Sequence, residues 1–304
     1  MPTLRAIAAI AILIAACAPA ASPSPQQPQA PAAQAAPPRA ADPRPLPGIP
    51  ALLRDIAKNQ QALEDMRQLY TCHLSEEQDK VDSEGNVKSR GLKDYDLFYI
   101  GDDAALHLLA KDGKPLTGSE KKSEDDKFSK RYDKLKKKQA ELAADPKKQQ
   151  KKAEEDEARI SDFLRAARFT NPRRETFRGH EVIALDLSGN PDYKPQNRIE
   201  SVVQKLAGTA WVDEQARQVA RLEAHFSESV KIGGGLVASL SKGSNFVFEQ
   251  QKISDEAWLP SYVEVHFSGR IVFVKLKQNF VDRFTDYKKF RSGASLGATS
   301  APSN

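Results

Sequence analysis

Gly208-Thr209-Ala210-Trp211-Val212-Asp213 runs through Glu214-Gln215-Ala216 into Val219-Ala220-Arg221-Leu222-Glu223-Ala224-His225-Phe226. In an extended chain side chains alternate between two faces, so Leu222, Ala224 and Phe226 fall on one side and Arg221, Glu223 and His225 on the other. Two such runs joined by a short polar turn predict antiparallel strands with one apolar and one polar face. The pattern repeats outward from this pair. Ile183, Leu185 and Leu187 alternate after an Arg178-Gly179 turn, and Ser244 to Ile253, Trp258 to Phe267 and Arg270 to Leu276 continue the meander. Between them Asn197 reads as the cap of a short helix, Arg198 to Leu206.

On the N-terminal side, Leu52, Leu53, Ile56, Leu63, Met66 and Leu69 approach helical spacing, and Pro50 stands where a helix start tolerates proline. One amphipathic helix is predicted over Ala51 to Tyr70. The period then changes to two at Tyr70, Cys72 and Leu74. A turn follows at Ser83-Glu84-Gly85-Asn86, then a strand at Tyr95 to Ile100 and another that follows Gly101, through Leu106 to Ala110, and ends at Asp112-Gly113. Glu120 to Arg168 is rich in Lys, Glu, Ala and Gln, and Asp145-Pro146 divides it into two predicted charged helices, 119–144 and 146–168. Ile160, Phe163 and Leu164 could dock the second on a core. Lys134 to Lys138 is bracketed by Glu124-Asp125-Asp126 and Glu154-Glu155-Asp156-Glu157, which would repel phosphates, so a solvated helical hairpin is expected rather than a nucleic-acid arm.

The termini carry an address. Arg5 precedes an apolar run from Ala6 to Ile14 that is too short for a stable membrane anchor, so 1–16 is expected to be an export signal. Ile14-Ala15-Ala16-Cys17 resembles a bacterial lipobox, which implies lipidation of Cys17. A simple cleavage near Ala18-Pro19-Ala20 is the alternative. Eleven of the 19 prolines lie between Pro19 and Pro50. Residues 17–50 are therefore expected to form a disordered tether, spanning roughly 30 Å as a coil to about 100 Å as polyproline II. The tail 291–304 is small and polar and is expected to be disordered as well.

The 304 residues carry 46 Lys+Arg against 41 Asp+Glu, a net +5, with 39% hydrophobic residues, two cysteines and a mean hydropathy of -0.58. That excludes a polytopic membrane protein, a collagen-like repeat and a disulfide miniprotein, and it does not favour a nucleic-acid partner. Catalytic nominations fail on geometry. Cys72 and His73 point to opposite faces of a strand, which leaves Cys72 a buried thiol with no disulfide partner. His73, His107, His180, His225 and His266 fall on separate strands or turns without the spacing of a metal site. Gly233-Gly234-Gly235 and Ser241-Lys242-Gly243-Ser244 have the wrong order for a phosphate loop. Glu76-Glu77 and Asp102-Asp103 read as solvated, turn-flanking pairs. No enzyme, metal or cofactor is predicted.

The element order, together with Gly208 to Asp213 leading through Ala216 to Glu223, resembles the LolA/LolB/RseB superfamily of periplasmic, outer-membrane lipoprotein-sorting-like proteins. Phe246-Val247-Phe248 and Ala257-Trp258-Leu259-Pro260 resemble its following strands. The resemblance implies an α+β fold over 51–290: a curved antiparallel half-barrel sheet covered on its concave side by helices, with the charged insertion at 119–168. It also implies that the apolar face takes up a lipid or an acylated protein. Ile183, Leu185, Leu222, Phe226, Val263, Val265 and Phe267 are the candidate lining residues, with a filled core as the alternative. An RseB-like regulatory module that binds an envelope protein through the charged insertion is the second expectation. A lipid anchor at Cys17 would hold the protein at the periplasmic side of the outer membrane.

Overall fold

The computed structural model describes residues 44–82, 84–101, 103–151, 163–232, 238–255, 257–271 and 274–289. The expected signal, Cys17, the tether up to residue 43 and the tail 291–304 lie outside them. In chain order the elements are α1 (Ile49–Arg67), β1 (Tyr70–Val81), β2 (Val87–Ile100), β3 (Asp103–Lys111), β4 (Lys114–Pro115) and α2 (Gly118–Ala143). Next come β5 (Ala167–Phe177), β6 (His180–Gly189), α3 (Arg198–Val203), β7 (Leu206–Asp213) and β8 (Val219–Phe226). The last are β9 (Val230–Ile232), β10 (Ala238–Leu240), β11 (Asn245–Lys252), β12 (Trp258–Ile271) and β13 (Val274–Lys289).

The strands form one open 13-stranded antiparallel sheet in the order β4-β3-β2-β1-β13-β12-β11-β8-β7-β6-β5, with β9 and β10 attached beside the end of β12. The central join is long range. β1 and β13 pair from Tyr70↔Lys289 to Lys80↔Gln278, so the start and end of the folded chain lie side by side in mid-sheet.

One face, called inner below, carries the apolar set. Leu52 of α1, 1% exposed, inserts among Ile183, Leu185 and Val212, with Ile49, Ile56 and Phe169 around them. Val202 and Val203 of α3 pack with Leu187, Ala224, Phe226, Phe246, Val265, Phe267 and Phe280. Asn197 caps α3 as the sequence implies, accepting from Glu200 N at 3.0 Å.

Four expectations change. The last stretch of the expected tether is laid on the sheet edge, where Arg174 donates to the Arg44 and Pro45 carbonyls at 3.1 and 3.3 Å. Arg270 to Leu276 is not one strand: Ile271 pairs with Val274 across a reversal, and β13 then runs on to Lys289. That stretch of β-branched and aromatic residues contains no glycine or proline to announce a turn. The first charged helix is docked rather than solvated. Phe128 and Tyr132, one turn apart, lie 5.5 and 6.4 Å from Phe98 of β2, and His107 of β3 stacks on Phe128 at 4.6 Å. Phe98 and His107 point away from the inner face, so α2 covers the outer one. Finally, residues 163–166 are helical but Ala167 and Arg168 belong to β5. Residues 152–162, with Ile160, lie outside the described set; Phe163 does dock, against the α3 cluster.

The opening motif depends on its glycine. A Cβ built on Gly208 would stand 1.9 Å from the Glu223 carbonyl oxygen of β8. Gly208→Ala is expected to push β7 from β8 and cost about 1–3 kcal/mol, the usual range for overpacking, measurable as a lower urea midpoint.

Candidate functional site

Register places all seven candidate lining residues on the inner face, but not in one setting. Ile183 and Leu185 are 0% exposed beneath α1 and belong to a filled core. Phe226, Val265 and Phe267 are buried against α3. Leu222 and Val263 are only partly buried, and Phe248, which the sequence reading did not nominate, stands between them.

These three belong to a straight row across eight strands. Leu185 faces Ala210, Ala210 faces Leu222, Leu222 faces Phe248, and Phe248 faces Val263. The row continues from Val263 to Asp282, from Asp282 to Glu76, and from Glu76 to Lys93. An apolar line thus runs from a packed core to the buried Asp282 and the partly buried Glu76.

Asp282 is 0% exposed, between Phe280 and Phe284 on its own strand, and neither carboxylate oxygen has a hydrogen-bond partner among the described residues. Loss of hydration, reinforced by the Glu76 charge and opposed by Arg283, pushes its carboxyl up to about 8. Glu76 is raised too, by burial first, against the Lys93 ammonium 3.6 Å away. The pair therefore holds a proton in the pH range where carboxyls are ordinarily ionised.

Beyond it lies a second buried polar group. Tyr287 donates to the Pro260 carbonyl at 2.6 Å, and its hydroxyl is shifted upward, chiefly by burial. Burial likewise pushes the Tyr99 hydroxyl and the Cys72 thiol up to about 12, and the Arg67 guanidinium sits 4.5 Å over the Tyr99 ring. A thiol held protonated in this way is a poor nucleophile.

The acidic pair Glu76-Glu77 is thus not turn-flanking. It lies in mid-β1, which spans 12 residues, with Glu76 turned inward and Glu77 paired outward with Arg90 at 3.0 Å. Asp103 opens β3 and pairs with Lys138 of α2, while Asp102 lies outside the described residues. Four of the five histidines each meet one carboxylate on their own patch: His73 with Asp94, His107 with Asp125, His180 with Asp213, and His266 with Glu264. No group of three or more His, Cys, Asp or Glu that could hold a metal occurs among the described residues. No described helix is long and apolar enough to cross a membrane.

The outer face over β5–β8 and β11 is an ionic lattice. Trp211 Nε1 donates to Glu175 at 2.7 Å, Arg173 bridges Glu175 and Asp186 at 2.7 Å each, and Arg221 and Arg178 both grip Glu249. Val182 and Ala184, both 0% exposed, lie on this side of β6, Val182 packed with Phe177, Trp211 and Trp258, so this face is not simply solvated.

No family model matches the chain, and no curated protein matches it. Among solved structures the chain is similar to a DUF1329 family protein from Desulfovibrio piger (11% identity, TM-score 0.30, covering 81% of this chain and 95% of that one). It is similar to an outer membrane lipoprotein-sorting protein domain from Vibrio parahaemolyticus (11% identity, TM-score 0.28, 80% and 95%). It is also similar to the MucA/MucB complex structure of Pseudomonas aeruginosa (6% identity, TM-score 0.22, 78% and 100%).

Proposed function

We propose that the protein is a non-enzymatic component of the bacterial envelope that binds a lipid or an acylated protein along the inner face of its open sheet. Cys17, when lipidated, and the proline-rich segment after it would hold the domain at the outer membrane. What carries the reading is the half-covered line Leu222–Phe248–Val263, flanked by cores that α1 and α3 have already filled. An acyl chain laid along such a line gains about 0.8 kcal/mol per buried methylene, and no charged catalytic group is needed.

Protein purified without its leader is expected to take up a fluorescent diacylated lipopeptide. Phe248→Glu should weaken uptake at least tenfold, because the new charge must be desolvated wherever acyl chain displaces water. Equal uptake by the variant, with unchanged circular dichroism, would remove the inner face as the site. The second reading, a protein-interaction module, is favoured by α2, which is fixed to β2 and β3 through Phe128 and Tyr132 while none of its residues is buried. Capture of an envelope protein that depends on α2, with no lipopeptide uptake, would select it.

A further inference from the structure

The half-covered line Leu222–Phe248–Val263 ends at an ionisable group that acyl binding does not require. Asp282 stands directly opposite Val263 in the β12–β13 register, and residues paired on one face hold their Cβ atoms about 4.5–5.5 Å apart. The two differ in cover: Asp282 is fully buried, whereas Val263 is only partly so. Nothing among the described residues donates to the Asp282 carboxyl, and Ser261 Oγ, two residues from Val263, is itself without a partner there. A buried carboxyl without donors is tolerated while neutral and must draw in water when it ionises. We propose that Asp282 is a proton gate on this line, which takes up an acyl chain while the carboxyl is neutral and releases it when the carboxyl ionises. The inference rests on the reading of the line as an acyl site.

The charges around Asp282 are engaged elsewhere. β1 brings Glu76, whose own charge disfavours a second one, and the Lys93 ammonium of β2 is paired with Glu76 at 3.6 Å. On β13 itself Arg283 favours the ionised form but turns to the outer face, where it meets Glu77 at 3.6 Å and lies 5.9 Å from the Tyr262 ring centre. β12 offers Val263 here, with Tyr262 and Glu264 on its other face, bonded to each other at 2.8 Å. Toward α1, Arg67 lies over the Tyr99 ring, and the Tyr99, Cys72 and Tyr287 groups nearby are all held protonated by burial. An acyl chain laid over Leu222, Phe248 and Val263 removes water from beside Asp282, and loss of water favours the neutral form of a carboxyl. Bound protein therefore keeps the proton to higher pH than free protein does. Uptake is strongest below the free-state value of about 8 and weakens above it.

The test titrates protein purified without its leader with a fluorescent diacylated lipopeptide whose termini are blocked and which carries no ionisable side chain. Titrations are run at pH 7, 8 and 9, with circular dichroism at each pH to follow the fold. A bound-state value one unit above the free one makes affinity about fivefold weaker at pH 9 than at pH 7. Asp282→Asn, which cannot ionise, should shrink that ratio below about twofold. Glu76→Gln should keep the fall but move it to lower pH, because it removes the charge that helps to hold Asp282 neutral. A level wild-type profile, a rise with pH, or a fall that survives in Asp282→Asn would each overturn the gate while leaving the acyl site standing. Uptake absent at every pH would remove the acyl site itself, and the gate with it.

Discussion

Asp282→Asn is expected to make the folded chain more stable at pH 8 by about 3 kcal/mol and to leave it unchanged at pH 4. The carboxyl stands at about 8 in the folded chain against an ordinary 3.8. Folding therefore takes up a proton wherever the unfolded chain has released it. A raised carboxyl contributes fully below the unfolded value and its contribution is lost as pH climbs through the folded one, so stability falls between about pH 4 and pH 8. One proton gives a slope of at most about 1.4 kcal/mol per pH unit. The charges that face it are Glu76 from β1, with Lys93 of β2 behind it, Arg283 on its own strand, and the Arg67–Tyr99 pair toward α1. Glu76 is raised alongside it, so the two titrate as a pair and the slope is spread over both. Asparagine has no charge to desolvate, although its unpaired amide retains part of the cost. Urea midpoints from pH 4 to pH 9 read the difference directly: the wild-type curve should fall while the variant stays nearly level. Parallel curves would mean that Asp282 is ionised and solvated in the folded chain.

That aspartate shows where the sequence is legible and where it is not. Wherever one face of a strand meets core and the other meets water, alternation survives in the letters. Leu222-Glu223-Ala224-His225-Phe226 and Ile183 to Leu187 were readable for that reason, and so was the cap at Asn197. β13 breaks the rule. Phe280, Asp282 and Phe284 do alternate, but Lys275, Lys277, Gln278, Arg283 and the lysines at 288 and 289 make the strand look like an exposed tail. Only its pairing with β1, about 200 residues away in the chain, puts those residues in mid-sheet. The same non-local pairing carries Glu76 from an apparent turn into the interior. The docking of α2 is hidden for a related reason: Phe128 and Tyr132 are two rings among many charges, and the patch that receives them, Phe98 and His107, sits on the polar-looking side of two strands. Of the lining residues, the face was readable and the cover was not. Which of them α1 and α3 would bury is decided by packing between segments distant in the chain, as Leu52 against Ile183, more than 100 residues away, illustrates.

Glu200→Ala is expected to destabilise the domain by about 3–5 kcal/mol at pH 7, the opposite sign from Asp282, although both carboxylates are 0% exposed. Burial alone would raise Glu200, but hydrogen bonds overcome it and hold the carboxyl below its ordinary range. Gln196 N donates at 2.6 Å, Tyr193 Oη at 2.8 Å and Arg165 Nη2 at 3.3 Å, while Glu200's own N–H is taken by Asn197. The side chain thereby ties the loop before α3 and the chain just before β5 to a helix only six residues long. Such a helix has no stability of its own, and its Val202 and Val203 close one end of the inner face. Truncation leaves a tyrosine hydroxyl and a backbone N–H without their acceptor, and it frees the cover to lift. The pH signature follows from the lowered carboxyl. Its contribution is present above about pH 4.5 and is lost as pH falls through the folded value, so the deficit of the variant should be full at pH 7 and shrink in acid. A deficit that is below about 1 kcal/mol, or one that does not change between pH 7 and pH 3, would show that the donors find water as readily as they find Glu200 and that α3 is held by its valines alone.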